Sequence, residues 1–151
     1  MSAKPSGYGS MQFGGQDRPF QVGTNQGDIF CRLPHRRGDD GKPMSLVAFS
    51  ELFGIHSLQA QSLTGGDLRD FVFSALAAGY ENDGLRVDFT PQNVGNWIDE
   101  PDTVAEEVTK PITAMLEQMV RRAEHAAQRA KNAPAPTPAK AKGPKASRRT
   151  A

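Results

Sequence analysis

The stretch LTGGDLRDFVFSALAAGY, residues Leu63–Tyr80, decides how this chain folds. Leu68, Phe71, Val72, Ala75 and Leu76 recur at i, i+3, i+4, i+7 and i+8, the spacing of one apolar helix face. Gly79 reads as the stop of that helix, because glycine adopts the left-handed conformation that ends one. The segment ENDGLRV that follows reads as a turn.

Downstream lies DFTPQNVGNWIDE, Asp88–Glu100, which contains the single tryptophan, Trp97. Thr90 reads as an N-cap with Pro91 at the first helical position, where a missing N–H is harmless. Phe89 and Val94 are placed to close a hydrophobic staple across that cap. Val94, Trp97 and Ile98 share a face, which makes Trp97 a core anchor, and the glycine at 95 predicts close packing there. A longer helix is expected over about residues 101–130. Its stripe is Val104, Val108, Ile112, Met115, Leu116, Met119 and Ala123. Glu106 and Glu107 near its start and Arg121, Arg122, Arg129 and Lys131 near its end complement the helix dipole. Glu117 and Arg121 are spaced for an ion pair, and Pro111 predicts a kink.

Upstream, SLVAFSELFG (Ser45–Gly54) reads as a short helix capped by Ser45, with Leu46, Phe49, Leu52 and Phe53 on one face. A linker, IHSLQAQS, separates it from Leu63. PHRRGDDGKP (Pro34–Pro43) is a charged loop. In RPFQVGTNQGDIFCRL (Arg18–Leu33), Phe20 and Val22 alternate as in a short strand, and Thr24 or Asn25 caps a helix weakened by Gly27. Residues 1–17, rich in Gly, Ser and Gln, read as a flexible arm. Residues 132–151 are Pro/Ala/Lys low complexity and read as a disordered tail. The expected architecture is mainly α: a helical domain of four to five helices over residues 18–131, without a substantial sheet.

Composition supports chain ends that lie outside a core, since only 37% of the 151 residues are hydrophobic. The net charge of +1 conceals a division. Thirteen basic and 17 acidic residues precede residue 132, a net −4, whereas the last twenty residues carry five basic residues and no acid. The single cysteine, Cys31, excludes an intrachain disulfide and fits a reducing compartment, and its apolar setting reads as core filler. No apolar run reaches the roughly 18 residues of a membrane span, and the first residues lack the apolar region of a signal peptide.

The residues that carry chemistry are poorly placed for it. GDDGKP lacks the spacing of a phosphate loop and the hydroxyl residue that would hold magnesium. His35, His56 and His125 match no metal spacing; His35 and His125 read as solvated and His56 as structural. Cap and loop positions account for the acidic pairs Asp39–Asp40, Asp99–Glu100 and Glu106–Glu107. The expectation is a non-enzyme without cofactor or metal. The tail at Lys140–Arg149 has the charge to touch nucleic acid, but it lacks aromatic residues for stacking and follows an acidic body, so nucleic acid is disfavoured. The remaining feature is apolar surface. Core packing accounts for the stripe of Met115 and Met119 by default; the alternative is a partner-binding groove formed with Phe71 and Leu76 of the middle helix, because methionine adapts to varied helical ligands.

Taken in order, four segments resemble the tail assembly chaperones of long-tailed bacteriophages. They are RPFQVGTNQGDIFC (Arg18–Cys31), VAFSELFGIHSL (Val47–Leu58), LTGGDLRDFVFSALAAGY (Leu63–Tyr80) and VDFTPQNVGNWIDE (Val87–Glu100), followed by a long amphipathic helix and a polar tail. The pair Gln26–Gly27 and the charged loop 34–43 depart from that pattern. The resemblance implies a non-catalytic assembly factor, acting in the cytoplasm of the infected or lysogenic cell and absent from the finished virion. Its implied partners are the tape measure protein, which it keeps soluble, and the tail tube protein, with a homo-oligomer as a further possibility. Such proteins are often made in two lengths by ribosomal frameshifting. Two other readings stay open: a virion structural or head–tail connector protein, and a nucleic-acid-binding accessory protein acting through the basic tail.

Overall fold

The computed structural model describes residues 3–54 and 63–134. Within them the chain forms an N-terminal hairpin and five α-helices. The hairpin is β1 (Tyr8–Phe13) and β2 (Gln16–Gln21), paired antiparallel from Phe13↔Gln16 to Tyr8↔Gln21. The helices are α1 (Thr24–Cys31), α2 (Leu46–Leu52), α3 (Gly65–Asn82), α4 (Pro91–Ile98) and α5 (Ala105–Asn132), with a 3-10 turn at Pro34–Arg36. The mainly helical expectation holds, with a two-stranded sheet added.

That hairpin corrects the reading of residues 1–17 as a flexible arm. Gly14 and Gly15, at φ 59° and 81°, form the two-residue turn that suits the right-handed twist of paired strands. Met11 and Phe13 on β1 and Arg18 and Phe20 on β2 are buried. Gly9 stands opposite Phe20, whose ring lies so close that a β-carbon on Gly9 would be 2.6 Å from it. Burial against helices stabilises a hairpin that would be marginal by itself. β1 contacts α5, whose Glu107 carboxylate accepts from the Gln12 backbone N–H at 2.8 Å and so satisfies a free edge.

α3 is buried on all sides. Every residue from Asp70 to Tyr80 is buried, so the apolar stripe read from the sequence is only part of its covered surface. It contacts β2, α1, α4 and α5. Thr64 caps it: its hydroxyl accepts from the Asp67 N–H at 3.1 Å, and the Asp67 carboxylate accepts from the Thr64 N–H at 3.0 Å. Gly79 is not the stop. The helix runs on to Asn82 and ends at Gly84, φ 71°, where Leu85 N–H bonds to the Tyr80 carbonyl at 2.8 Å and Gly84 N–H to that of Glu81 at 3.1 Å. Gly79 is instead the point where β2 crosses the helix: a β-carbon there would lie 2.5 Å from Phe20 Cα and from the carbonyl of Pro19.

The remaining helices follow their local signals more closely. α4 begins at Pro91, with Thr90 Oγ1 accepting from Asn93 N–H at 3.2 Å and the Asn93 amide oxygen accepting in return from Thr90 N–H at 2.9 Å. Phe89 and Val94 are buried and Trp97 is half-buried, its ring 5.7 Å edge-on from Phe13. The close neighbour at Gly95 is only the aliphatic stem of Arg69, 3.2 Å from a built β-carbon. α1 starts one residue before the expected caps, at Gly23, and leaves Leu33 just beyond its end. α5 runs through Pro111, which is buried with Val108 and Met115. Val104 and Ala123 fall outside the covered stripe, and every residue from Val120 to Asn132 is exposed. Glu117 and Arg121 form no ion pair. No helix among the described residues is long and apolar enough to cross a membrane. The linker with His56 and the tail beyond Pro134 lie outside the described residues.

The two helical glycines separate cleanly in their consequences. Gly79→Ala forces strand backbone away from α3 and is expected to destabilise the fold by about 1–3 kcal/mol. Gly95→Ala meets only a flexible side chain, and its better helix propensity, up to about 1 kcal/mol, leaves stability unchanged or raised. Urea unfolding of both variants measures the difference, and equal destabilisation would contradict the crossing described for Gly79.

Candidate partner-binding groove

α1, α2 and the middle of α5 enclose a groove of about 300 Å³. Phe49, Phe53 and Met115 form its floor; Leu46, Met119 and Arg122 stand at its rim, with Gly23, Thr24, Gln26, Ser50 and Gln118 completing the lining. Ser45 starts the wall contributed by α2, its hydroxyl accepting from Ala48 N–H at 3.0 Å. The i, i+3, i+7 spacing of Leu46, Phe49 and Phe53 then aims all three at one side. Leu46 and its neighbour Val47 are 45% and 68% exposed, which leaves this wall of the groove open and apolar.

The pair Gln26–Gly27, which departs from the family pattern, is what brings the walls together. Gln26 is fully buried and donates through Nε2 to the Phe71 carbonyl at 3.1 Å, tying α1 to α3. Gly27 lets α2 approach: a β-carbon there would be 2.9 Å from Leu46 and 3.2 Å from Phe49. Phe30, Phe49, Phe53 and Phe71 then pack ring against ring, with centroids 4.5–5.1 Å apart along the chain of contacts Phe30–Phe49, Phe49–Phe53 and Phe53–Phe71.

Of the four residues expected to bind a partner, Met115 and Met119 line this groove. Phe71 and Leu76 do not: both are completely buried in α3, Phe71 beneath Phe49 and Phe53. The opposing wall is α2, whose shared apolar face of Leu46, Phe49, Leu52 and Phe53 is legible in the sequence without marking a partner site. A helix buried all round cannot offer a face, and a linear sequence does not distinguish that case from an amphipathic one.

A second cluster pins the loop after α1 to α3. Asp70 is fully buried and accepts from His35 Nε2 at 2.5 Å, Arg36 Nε at 2.7 Å and Arg69 Nε at 3.0 Å. Arg36 also reaches Asp67 at 2.8 Å and lies over the Phe30 ring at 4.5 Å. His35 is exposed, as expected, and is anchored as well through Asp70. Burial pushes the Asp70 and Asp67 carboxyls up, but hydrogen bonds outweigh it and hold both below the usual carboxylate range. For Asp70 they come from His35, Arg69 and Arg36; for Asp67, from Thr64 and Arg36. The cluster's geometry is that of a structural clasp: each charge has an opposite partner, and none is directed at the groove. Cys31 is buried, its Sγ 3.5 Å from the Ser45 carbonyl, and burial pushes its thiol up, as suits core filler. No group of three or more His, Cys, Asp or Glu among the described residues is arranged to hold a metal.

No family model, curated protein or solved structure matches this chain.

The clasp carries a pH signature. A carboxylate lowered in the fold stabilises it above the unfolded value, about 3.9 for Asp, and loses that contribution as pH falls through the folded value. Thermal melts should therefore fall steeply below about pH 4. Asp70→Asn leaves Arg36 with Asp67 as its remaining counter-charge and Arg69 with none, and is expected to lose about 3 kcal/mol at neutral pH, while flattening the acid branch. An unchanged acid branch in that variant would assign it to other carboxylates.

Proposed function

We propose that this protein is a tail assembly chaperone of a long-tailed bacteriophage. In this reading it is non-catalytic, holds apolar helical segments of the tape measure protein, and helps bring tail tube subunits to them in the cytoplasm of the infected cell. The groove of α1, α2 and α5 is the observation that carries the binding mode. Its volume, about 300 Å³, lies at the lower limit of the roughly 300–1,000 Å³ typical of small-molecule sites. It suits one or two side chains pressed in from a helix lying across it. Two methionines in its lining add the adaptability needed for a partner that presents many different apolar turns. The order of the four resembling segments supports the family reading, and the groove supports the binding mode proposed for the partner.

The test uses Leu46 and Met119, which line the groove without being fully buried. The double variant Leu46→Asp/Met119→Asp should fold as the parent does by circular dichroism. It should lose at least about 2 kcal/mol of affinity for a co-expressed tape measure protein, the scale of an interface hot spot. Full co-purification by the folded variant removes the groove from the proposal. Failure of the parent chain to capture or solubilise any tape measure protein overturns the chaperone reading itself.

A further inference from the structure

The groove does not end where the body of the protein ends. Met115, Met119 and Arg122 all line it, and they follow one another on α5 at i, i+4 and i+7. The same 4–3 spacing continues through Ala126 to Arg129, along a part of the helix that nothing in the described chain covers. The side of α5 that closes the groove with Arg122 is thus continued, beyond it, by a small residue and a second arginine.

The charges of this extension differ in sign from those of the body. Residues 121–132 hold Arg121, Arg122, Arg129 and Lys131 against a single acid, Glu124. Neither Arg122 nor Arg129 has a carboxylate partner among the described residues. Arg36 and Arg69 are matched by Asp70, Arg32 by Asp28, and Arg18 by carbonyl and hydroxyl oxygens and the face of Trp97, whereas exposed Arg37, Arg86 and Arg121 share with Arg122 and Arg129 the lack of an ion pair among the described residues. A twelve-residue helical end without tertiary contacts is marginal by itself in water. A partner lying along it would supply both the missing packing and the missing charge.

We infer that the α5 extension is the second half of the binding site. The groove takes the apolar end of an amphipathic helix from a partner protein. That helix then runs along α5 and places carboxylates against Arg122 and Arg129, seven residues and about 10 Å apart along the axis. Specificity on this view has two parts: apolar side chains choose the groove, and acidic residues one to three turns further on choose the direction of the bound helix. The inference rests on the groove reading and adds to it the chemistry of the ligand.

Two fluorescein-labelled synthetic amphipathic helices test it against the full 151-residue chain. They share one leucine face and differ only in carrying two Glu or two Lys, seven residues apart, beyond the last leucine. At low salt the Glu peptide should bind about tenfold tighter by fluorescence anisotropy, and the advantage should vanish near 1 M salt, where the Debye length is about 3 Å. It should also vanish in Arg122→Glu/Arg129→Glu, whose changed side chains are exposed and leave the fold intact. Equal affinity for both peptides, with binding still abolished by Leu46→Asp/Met119→Asp, overturns the extension and leaves the groove standing. Binding of neither peptide, or binding indifferent to Leu46 and Met119, overturns the groove and the extension together.

Discussion

A helix with no solvent side is the constraint on which this fold depends. From Asp70 to Tyr80 every residue of α3 is covered, so the chain must supply cover on all sides from fewer than 150 residues. It does so with short elements. α1 and α2 bring aromatic rings to one side, α4 and its preceding Phe89 another, and the N-terminal hairpin crosses at Gly79. The missing side chain at Gly79 is what allows a strand backbone to lie directly on helix backbone. α5 closes the assembly mainly from outside the hairpin rather than against α3. Each cover is too small to be stable alone; together they bury one continuous aromatic core.

Three charged groups, Arg18, Asp67 and Asp70, are buried among the described residues, and all three serve attachment, Asp67 by capping α3 and holding Arg36. Asp70 gathers His35, Arg36 and Arg69, which fastens the loop after α1 to the central helix. Arg18 donates to the Phe13 carbonyl at 2.7 Å and the Tyr80 hydroxyl at 2.9 Å, with Trp97 stacked 4.1 Å from its guanidinium carbon. It has no carboxylate partner; hydrogen bonds and ring faces compensate its desolvation. Trp97 therefore covers a buried cation as well as apolar surface, which explains its place at the edge of the core.

The groove follows from the same economy. α2 is short and docks by Phe49 and Phe53, leaving Leu46 and Val47 with nothing of the described chain to cover them. α5 is longer than the body it packs on, so its methionines border an open space and its basic end stands free.

The sequence by itself determined the local features. The caps at Ser45 and Thr90, the helical periods around Phe71 and Met115, and the buried nature of Cys31 depend on neighbours within a few residues, and hydrogen bonds at that range are written in residue order. Tertiary structure alone decided the rest. Tyr8–Phe13 carries only Met11 and Phe13 as apolar signal in a Gly/Ser/Gln-rich stretch, and it is a strand because α5 and the rest of the core bury those two side chains. Gly79 resembles a helix stop until a distant strand needs its empty position. Phe71 and Leu76 look like a binding face until the core covers them, which moves the groove to α2. In each case the deciding contact joins residues far apart in the chain, and the free energy that selects it comes from burial that no local pattern contains.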